Sequence, residues 1–190
     1  WDKPTDREDE TPNSTVNETL KPKPTDTNTY TPYNLRMPKI DRYVDFSNSI
    51  ISNLHIEQSN TFISAQETIN RLTVARDVAN FELYADATAL YIDTDVNLTM
   101  YGVNDIRYVY KNSSKSVNFY TDSYYDFLYV SNGSGWIDLG EDVYIDEVIL
   151  PKKKSPNDIF NDYENDNGNI EHIEDEDGNI VDRDPVENSI

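Results

Sequence analysis

Between residues 80 and 150 the chain alternates apolar and polar positions with period two. In FELYAD, Phe81 and Leu83 fall on one face; in TALYID, Leu90 and Ile92 do. DVNLTMYG places Val96, Leu98 and Met100 together, DIRYVYK places Ile106, Tyr108 and Tyr110, and SVNFYTD places Val117 and Phe119. DFLYVSNG, GWIDLG and DVYIDEVIL continue the series. A period of two, with aromatic and β-branched residues dominating, is the pattern of half-buried strands. Turn-forming stretches such as DTD, GVND, NSSKS, NGSG and GED separate these runs,. Strands every ten residues or so, joined by short turns, predict an all-β, mostly antiparallel β-sandwich or jelly-roll-like domain over residues 40–150. One stretch stays open between two readings. SAQETINRLTVARDV, 64–78, offers a capping box (Ser64, Glu67) and a helical stripe (Ile69, Leu72, Ala75, Ala79), but RLTVARD also reads as a strand,.

The flanks read differently. Residues 1–39 hold six of the nine prolines and no helical or strand period, which predicts an extended arm,. Such an arm suits docking on a neighbouring subunit or a solvated linker. Residues 151–190 open with PKKKSP and then carry 12 acids against four basic residues, a charge block expected to stay solvated,. The chain begins at Trp1 with a polar, acidic stretch and no initiator Met, as expected of a processed or partial chain without a signal peptide,.

Net charge narrows the function classes. Sixteen Lys and Arg against 36 Asp and Glu give −20, which opposes phosphate binding and docking on anionic membranes,. No apolar run reaches the length of a membrane span. With no Cys, disulfides, thiolate metal sites and Cys nucleophiles are excluded,. Five N-x-S/T sequons, at Asn13, Asn17, Asn97, Asn112 and Asn132, follow from a composition rich in Asn, Ser and Thr.

The acidic tail carries NGNI and DGNI cores ten residues apart. An EF-hand loop centred on Gly168 would put Tyr163 at its first ligand position, and one centred on Gly178 would put Ile173 there. Neither side chain supplies a carboxylate, so the pattern reads as two Asn/Asp-Gly turns and no metal or cofactor is expected. His55 and His172 have no second His at ligand spacing. NGSGW lacks the glycines of a nucleophile elbow around Ser134,. Carboxylates two apart, such as Asp93 and Asp95, could share a strand face, but with 36 acids such pairs are ubiquitous,. The expectation is a non-enzymatic protein.

Ten of the 14 tyrosines lie between residues 84 and 144. Tyr124, Tyr125, Tyr129 and Trp136 cluster in sequence and are the candidate ligand- or partner-binding aromatics, because flat side chains with polar tips serve both sugar platforms and protein interfaces. The stretch YYDFLYVSNGSGWIDLG, 124–140, resembles small β domains of tailed-bacteriophage virion accessory proteins, in which an aromatic strand, an Asn-Gly turn and a Gly-Trp strand close the fold. That resemblance implies a decoration, head-fibre or tail-connector subunit, located in a virion or on a cell surface. The leading expectation is a structural subunit of a homo- or hetero-oligomeric assembly. The second is a carbohydrate-binding β-sandwich module.

Overall fold

A computed structural model describes residues 33–36, 42–46, 50–131, 133–163 and 169–181. Most of the arm read over residues 1–39 lies outside the described residues, as does the Asn167-Gly168 turn. Among the described residues twelve strands follow in order: β1 (Tyr33–Arg36), β2 (Arg42–Asp45), β3 (Ile51–Ile56), β4 (Thr61–Ser64), β5 (Ile69–Val74), β6 (Asn80–Tyr84), β7 (Ala87–Ile92), β8 (Leu98–Lys111), β9 (Val117–Val130), β10 (Ile137–Leu139), β11 (Val143–Leu150) and β12 (Ile170–Asp175). A short 3₁₀ turn, Pro156–Asp158, lies between the last two.

All of these strands pair in parallel. Over the first coils a strand pairs not with the next one in sequence but with the one a full coil later, β3 with β5, β4 with β6 and β5 with β7. From β7 on, consecutive strands also pair, β7 with β8 and β8 with β9, each again one coil apart. The architecture is therefore a β-solenoid, and the expected antiparallel β-sandwich or jelly roll is overturned. The physical reason is that each short turn carries the chain around a corner onto another sheet instead of folding it back. A strand spacing near ten residues is half a coil.

The first sheet contains β1, β3, β5, β7, the second half of β8, the second half of β9, β11 and β12. Eight strands stacked at about 4.8 Å make a rod face about 34 Å long. The second sheet contains β2, β4, β6, the first halves of β8 and β9, and β10. β8 and β9, 14 residues each, run through both sheets around one corner.

The interior is a set of columns. Leu54, Leu72, Leu90, Val109, Leu128, Val148 and Ile173 are buried one above another. Ile69, Ala87, Ile106, Tyr125, Ile145 and Ile170 form a second column. Across the core, Thr61, Phe81, Met100, Phe119 and Leu139 stack inward from the second sheet. Each coil thus buries side chains in register, and the parallel ladder supplies the backbone hydrogen bonds.

Within residues 64–78 the element formed is the strand β5, Ile69–Val74, with Ile69, Leu72 and Val74 buried in these columns. The helical stripe loses because a strand there completes a column that a helix would interrupt. Alternation also slips at the corner. Ile106 and Val109 point inward, whereas Tyr108 and Tyr110, read on the face of Ile106, stay half-buried on the outside. NGSG does not close a hairpin: β10 returns parallel to β9.

At the C-terminal end the chain covers its own last edge. Gly178, at φ 75°, turns the backbone, and residues 179–181 run back antiparallel along β12. Asp175 N–H donates to the Asn179 carbonyl at 2.9 Å and Val181 N–H to the Ile173 carbonyl at 3.0 Å. Lys152 fixes the turn through Asp177 at 2.9 Å. Covering an edge in this way blocks sheet extension at that end.

Candidate functional site

The outer surface of the first sheet carries a ladder of rings. Tyr91, Tyr110 and Tyr129 stand on adjacent coils in the same register. Their centroids are 4.6 and 5.0 Å apart and their planes lie within 12°. Tyr108 stacks on Phe127 alongside, at 5.4 Å. The Arg71 guanidinium covers the open face of Tyr91 at 4.1 Å. The strand spacing sets this geometry, because parallel strands hold equivalent side chains about one ring-stacking distance apart. Ring faces in the ladder therefore contact each other, and ring edges and hydroxyls meet the solvent. Burial and the neighbouring phenols push Tyr110 above the ordinary tyrosine range.

This ladder should act as an external staple. Tyr110→Ala removes two stacked ring contacts and a tilted one with Tyr108, and is expected to cost about 1–3 kcal/mol in urea unfolding,. Tyr144→Ala, at a half-exposed outer position, should stay within about 0.5 kcal/mol,. Equal effects of the two substitutions would show that the stack contributes nothing.

The four aromatics nominated by sequence are not brought together. Tyr125 is fully buried, its hydroxyl 3.2 Å from that of Thr121, and burial pushes its phenol up to about 12. Tyr129 closes the ladder just described. Trp136 is exposed in the turn before β10. Tyr124 is exposed near the corner, and its hydroxyl donates to Asp146, a bond that pushes it up to about 12.

What the sequence reading missed is a second outer face. On the second sheet Tyr101 pairs with Tyr120 in register, and Tyr84 pairs with Val103. At the corner, Asp105, Tyr124 and Tyr144 follow in one column. Tyr101, Val103 and Tyr120 on this sheet and Tyr144 at the corner are 44–52% exposed, an unusual density of open side chains for adjoining sheet surface,. The signal was in the sequence as recurrence at 19 or 20 residues: Tyr91, Tyr110, Tyr129; Tyr101, Tyr120; Tyr124, Tyr144.

The turns between sheets form a polar column. Ser131 Oγ donates to Asn112 Oδ1 at 2.9 Å, and Asn112 Nδ2 donates to Asp93 Oδ1 at 2.8 Å, linking three coils. Beneath them, Thr94 and Ser113 are buried and bonded to each other at 3.2 Å. Lys111 is buried in the aliphatic column of Ile56, Val74, Ile92 and Val130. Its Nζ donates to the carbonyls of Ser113 and Ser134, both at 2.9 Å. Ser134, the sequence's nearest approach to a nucleophile, thus serves through its main chain. A shallow groove of about 700 Å³ crosses this column, lined among others by His55, Glu57, Arg76, Asp77, Asp93 and Asp95. Within it His55 lies 3.6 Å from Glu57, and Arg76 lies 3.8 Å from Asp95. Among the described residues no group of three or more His, Asp or Glu is placed to hold a metal ion.

No protein-family model, curated protein or solved structure matches the chain.

Proposed function

We propose that the chain is a non-enzymatic structural module of a larger assembly, of the virion-accessory type that residues 124–140 resemble. The solenoid serves as a stiff body, and the segment preceding it serves as a further attachment element. One observation carries the reading: Tyr101, Val103 and Tyr120 on the second sheet and Tyr144 at the adjoining corner stand 44–52% exposed outside a core that is already filled. Exposed aromatics of this density are typical of surfaces that meet another protein.

The carbohydrate-binding alternative fits the geometry less well. Sugar stacking needs open ring faces, and the most regular rings, Tyr91, Tyr110 and Tyr129, cover one another. The test is isolation from the native source followed by carbodiimide crosslinking, which joins carboxylates to neighbouring amines. The chain should travel in a complex, with crosslinked peptides from residues 118–147 attached to another polypeptide. A chain recovered as a free monomer, without such crosslinks, overturns the proposal.

A further inference from the structure

The exposed face of the second sheet and the corner that joins it to the first have a one-sided charge. No Lys or Arg occurs from residue 77 to 106 or from 116 to 151, and these stretches supply most of that face. Its outward positions alternate tyrosine with carboxylate. Glu82 stands in register with Tyr101 and Tyr120, Val103 with Asp122, and Asp105 with Tyr124. Tyr120 Oη donates to Asp138 at 3.2 Å, and the Tyr124 hydroxyl donates to Asp146. The carboxylates also crowd one another: burial, with Asp86 and Asp126 nearby, holds Asp105 above the usual carboxylate range.

The first sheet shows how this chain satisfies such rings when it has cations to hand. There Arg71 lies over Tyr91 at 4.1 Å and Arg107 over Tyr108 at 5.1 Å. On the second sheet, β4, β6, β10 and the first halves of β8 and β9 contain no Lys or Arg to play that part.

We propose that the outer face of the second sheet, together with the corner where it meets the first, docks an arginine-rich polypeptide segment, whose guanidinium groups lie over Tyr101 and Tyr120 on the sheet and Tyr144 at the corner and pair with the carboxylates around them. This rests on the reading of the chain as an assembly module, and it names the chemistry of the partner. Charge complementarity selects the occupant. A second copy of this chain would set like charges against each other, whereas a cationic segment gains from every carboxylate. Arginine is favoured over lysine because its planar guanidinium stacks on a ring while bonding a carboxylate at its edge.

The test is calorimetric titration of the full chain with an alternating Arg-Gly peptide, its Lys-Gly counterpart and a neutral hexasaccharide, at ~150 mM salt. The arginine peptide should bind about tenfold more tightly than the lysine peptide. Replacing Tyr101, Tyr120 and Tyr144 together with Ser should weaken it about tenfold or more, and replacing all three with Phe should preserve it. The urea midpoint of each variant separates lost binding from lost folding. Equal binding of the two peptides, unchanged by the Ser variant, would reduce the effect to net charge and overturn the proposal. So would absence of arginine-peptide binding, or hexasaccharide binding that the Ser variant abolishes. A native complex whose partner leaves this face untouched would sink this inference alone and leave the assembly reading standing.

Discussion

Gly102→Ala is expected to destabilise the solenoid by more than about 4 kcal/mol, which puts it among the most damaging single substitutions. Gly102 lies in β8 opposite Leu83 of β6, at φ 121°, a conformation that residues with a Cβ rarely adopt,. An added Cβ would stand 2.1 Å from the Leu83 carbonyl oxygen and 2.7 Å from its carbonyl carbon. These are backbone atoms of the neighbouring coil, so no rotamer change relieves the overlap. Asn104 Nδ2 also donates to that carbonyl, at 3.3 Å, so moving it breaks a second contact. Gly133→Ala is the control. There the nearest atom to the new Cβ is Lys154 Cε at 2.8 Å, on a flexible side chain that can move aside. Its cost should stay within about 1 kcal/mol. Urea unfolding followed by circular dichroism separates the two. A Gly102→Ala protein with an unchanged midpoint would show that β6 and β8 do not approach as described.

Lys111 gives the second large effect, and its sign is opposite to that of a salt-bridged lysine. Burial lowers its ammonium from 10.5 to about 8,. Below pH 8 the group is charged in both the folded and the unfolded chain, so folding bears the full desolvation cost. Between pH 8 and 10 the unfolded chain holds the Lys111 proton that the folded one has lost, and stability rises with pH,. From pH 7 to 9.5 the gain should be about 2 kcal/mol. Above pH 10 the trend reverses, because Tyr125 is held protonated in the fold up to about 12 and its burial resists ionisation,. Lys111→Met should abolish the rise between pH 7 and 9.5. It should also be less stable than the parent at pH 9.5, since the Ser113 and Ser134 carbonyls lose their donor,. Urea midpoints of both proteins at the two pH values decide the matter. Parallel pH profiles would mean that Lys111 is not buried as a cation.

The same buried lysine shows where sequence reading stops. In DIRYVYK, Lys111 reads as the polar end of a strand. Only stacking reveals that it occupies the column of Ile92 and Val130. The inward pattern at Ile51, Leu54 and Ile56 recurs at Ile69, Leu72 and Val74, then at Ala87, Leu90 and Ile92. It continues through Ile106, Val109 and Lys111 to Tyr125, Leu128 and Val130. That period of 18 or 19 residues is written in the chain. It is faint because Ala87, Tyr125 and Lys111 each break the aliphatic series. The candidate site was legible only in part. Tyr124 lies beside the exposed face, but Tyr125, its neighbour in sequence, points into the core, as adjacent strand residues must,.

By itself the sequence determined that this chain builds strands, which residues of most strands face inward, and several of the turns between them, although GVND, read as a turn, lies inside the continuous strand β8. Phe81 with Leu83, Leu90 with Ile92, and Val117 with Phe119 are buried together, as alternation requires. These features depend on local pleat geometry and turn chemistry, which a few neighbouring residues set. Tertiary structure alone decided that the strands pair in parallel with the coil beyond. It also decided which tyrosines stack, which lie open, and that a lysine sits in the core. Alternation is the same in parallel and antiparallel sheets, and a tight turn serves either a hairpin or a corner. The choice was made by partners 18 to 20 residues away, whose columns close only when whole coils lie in register.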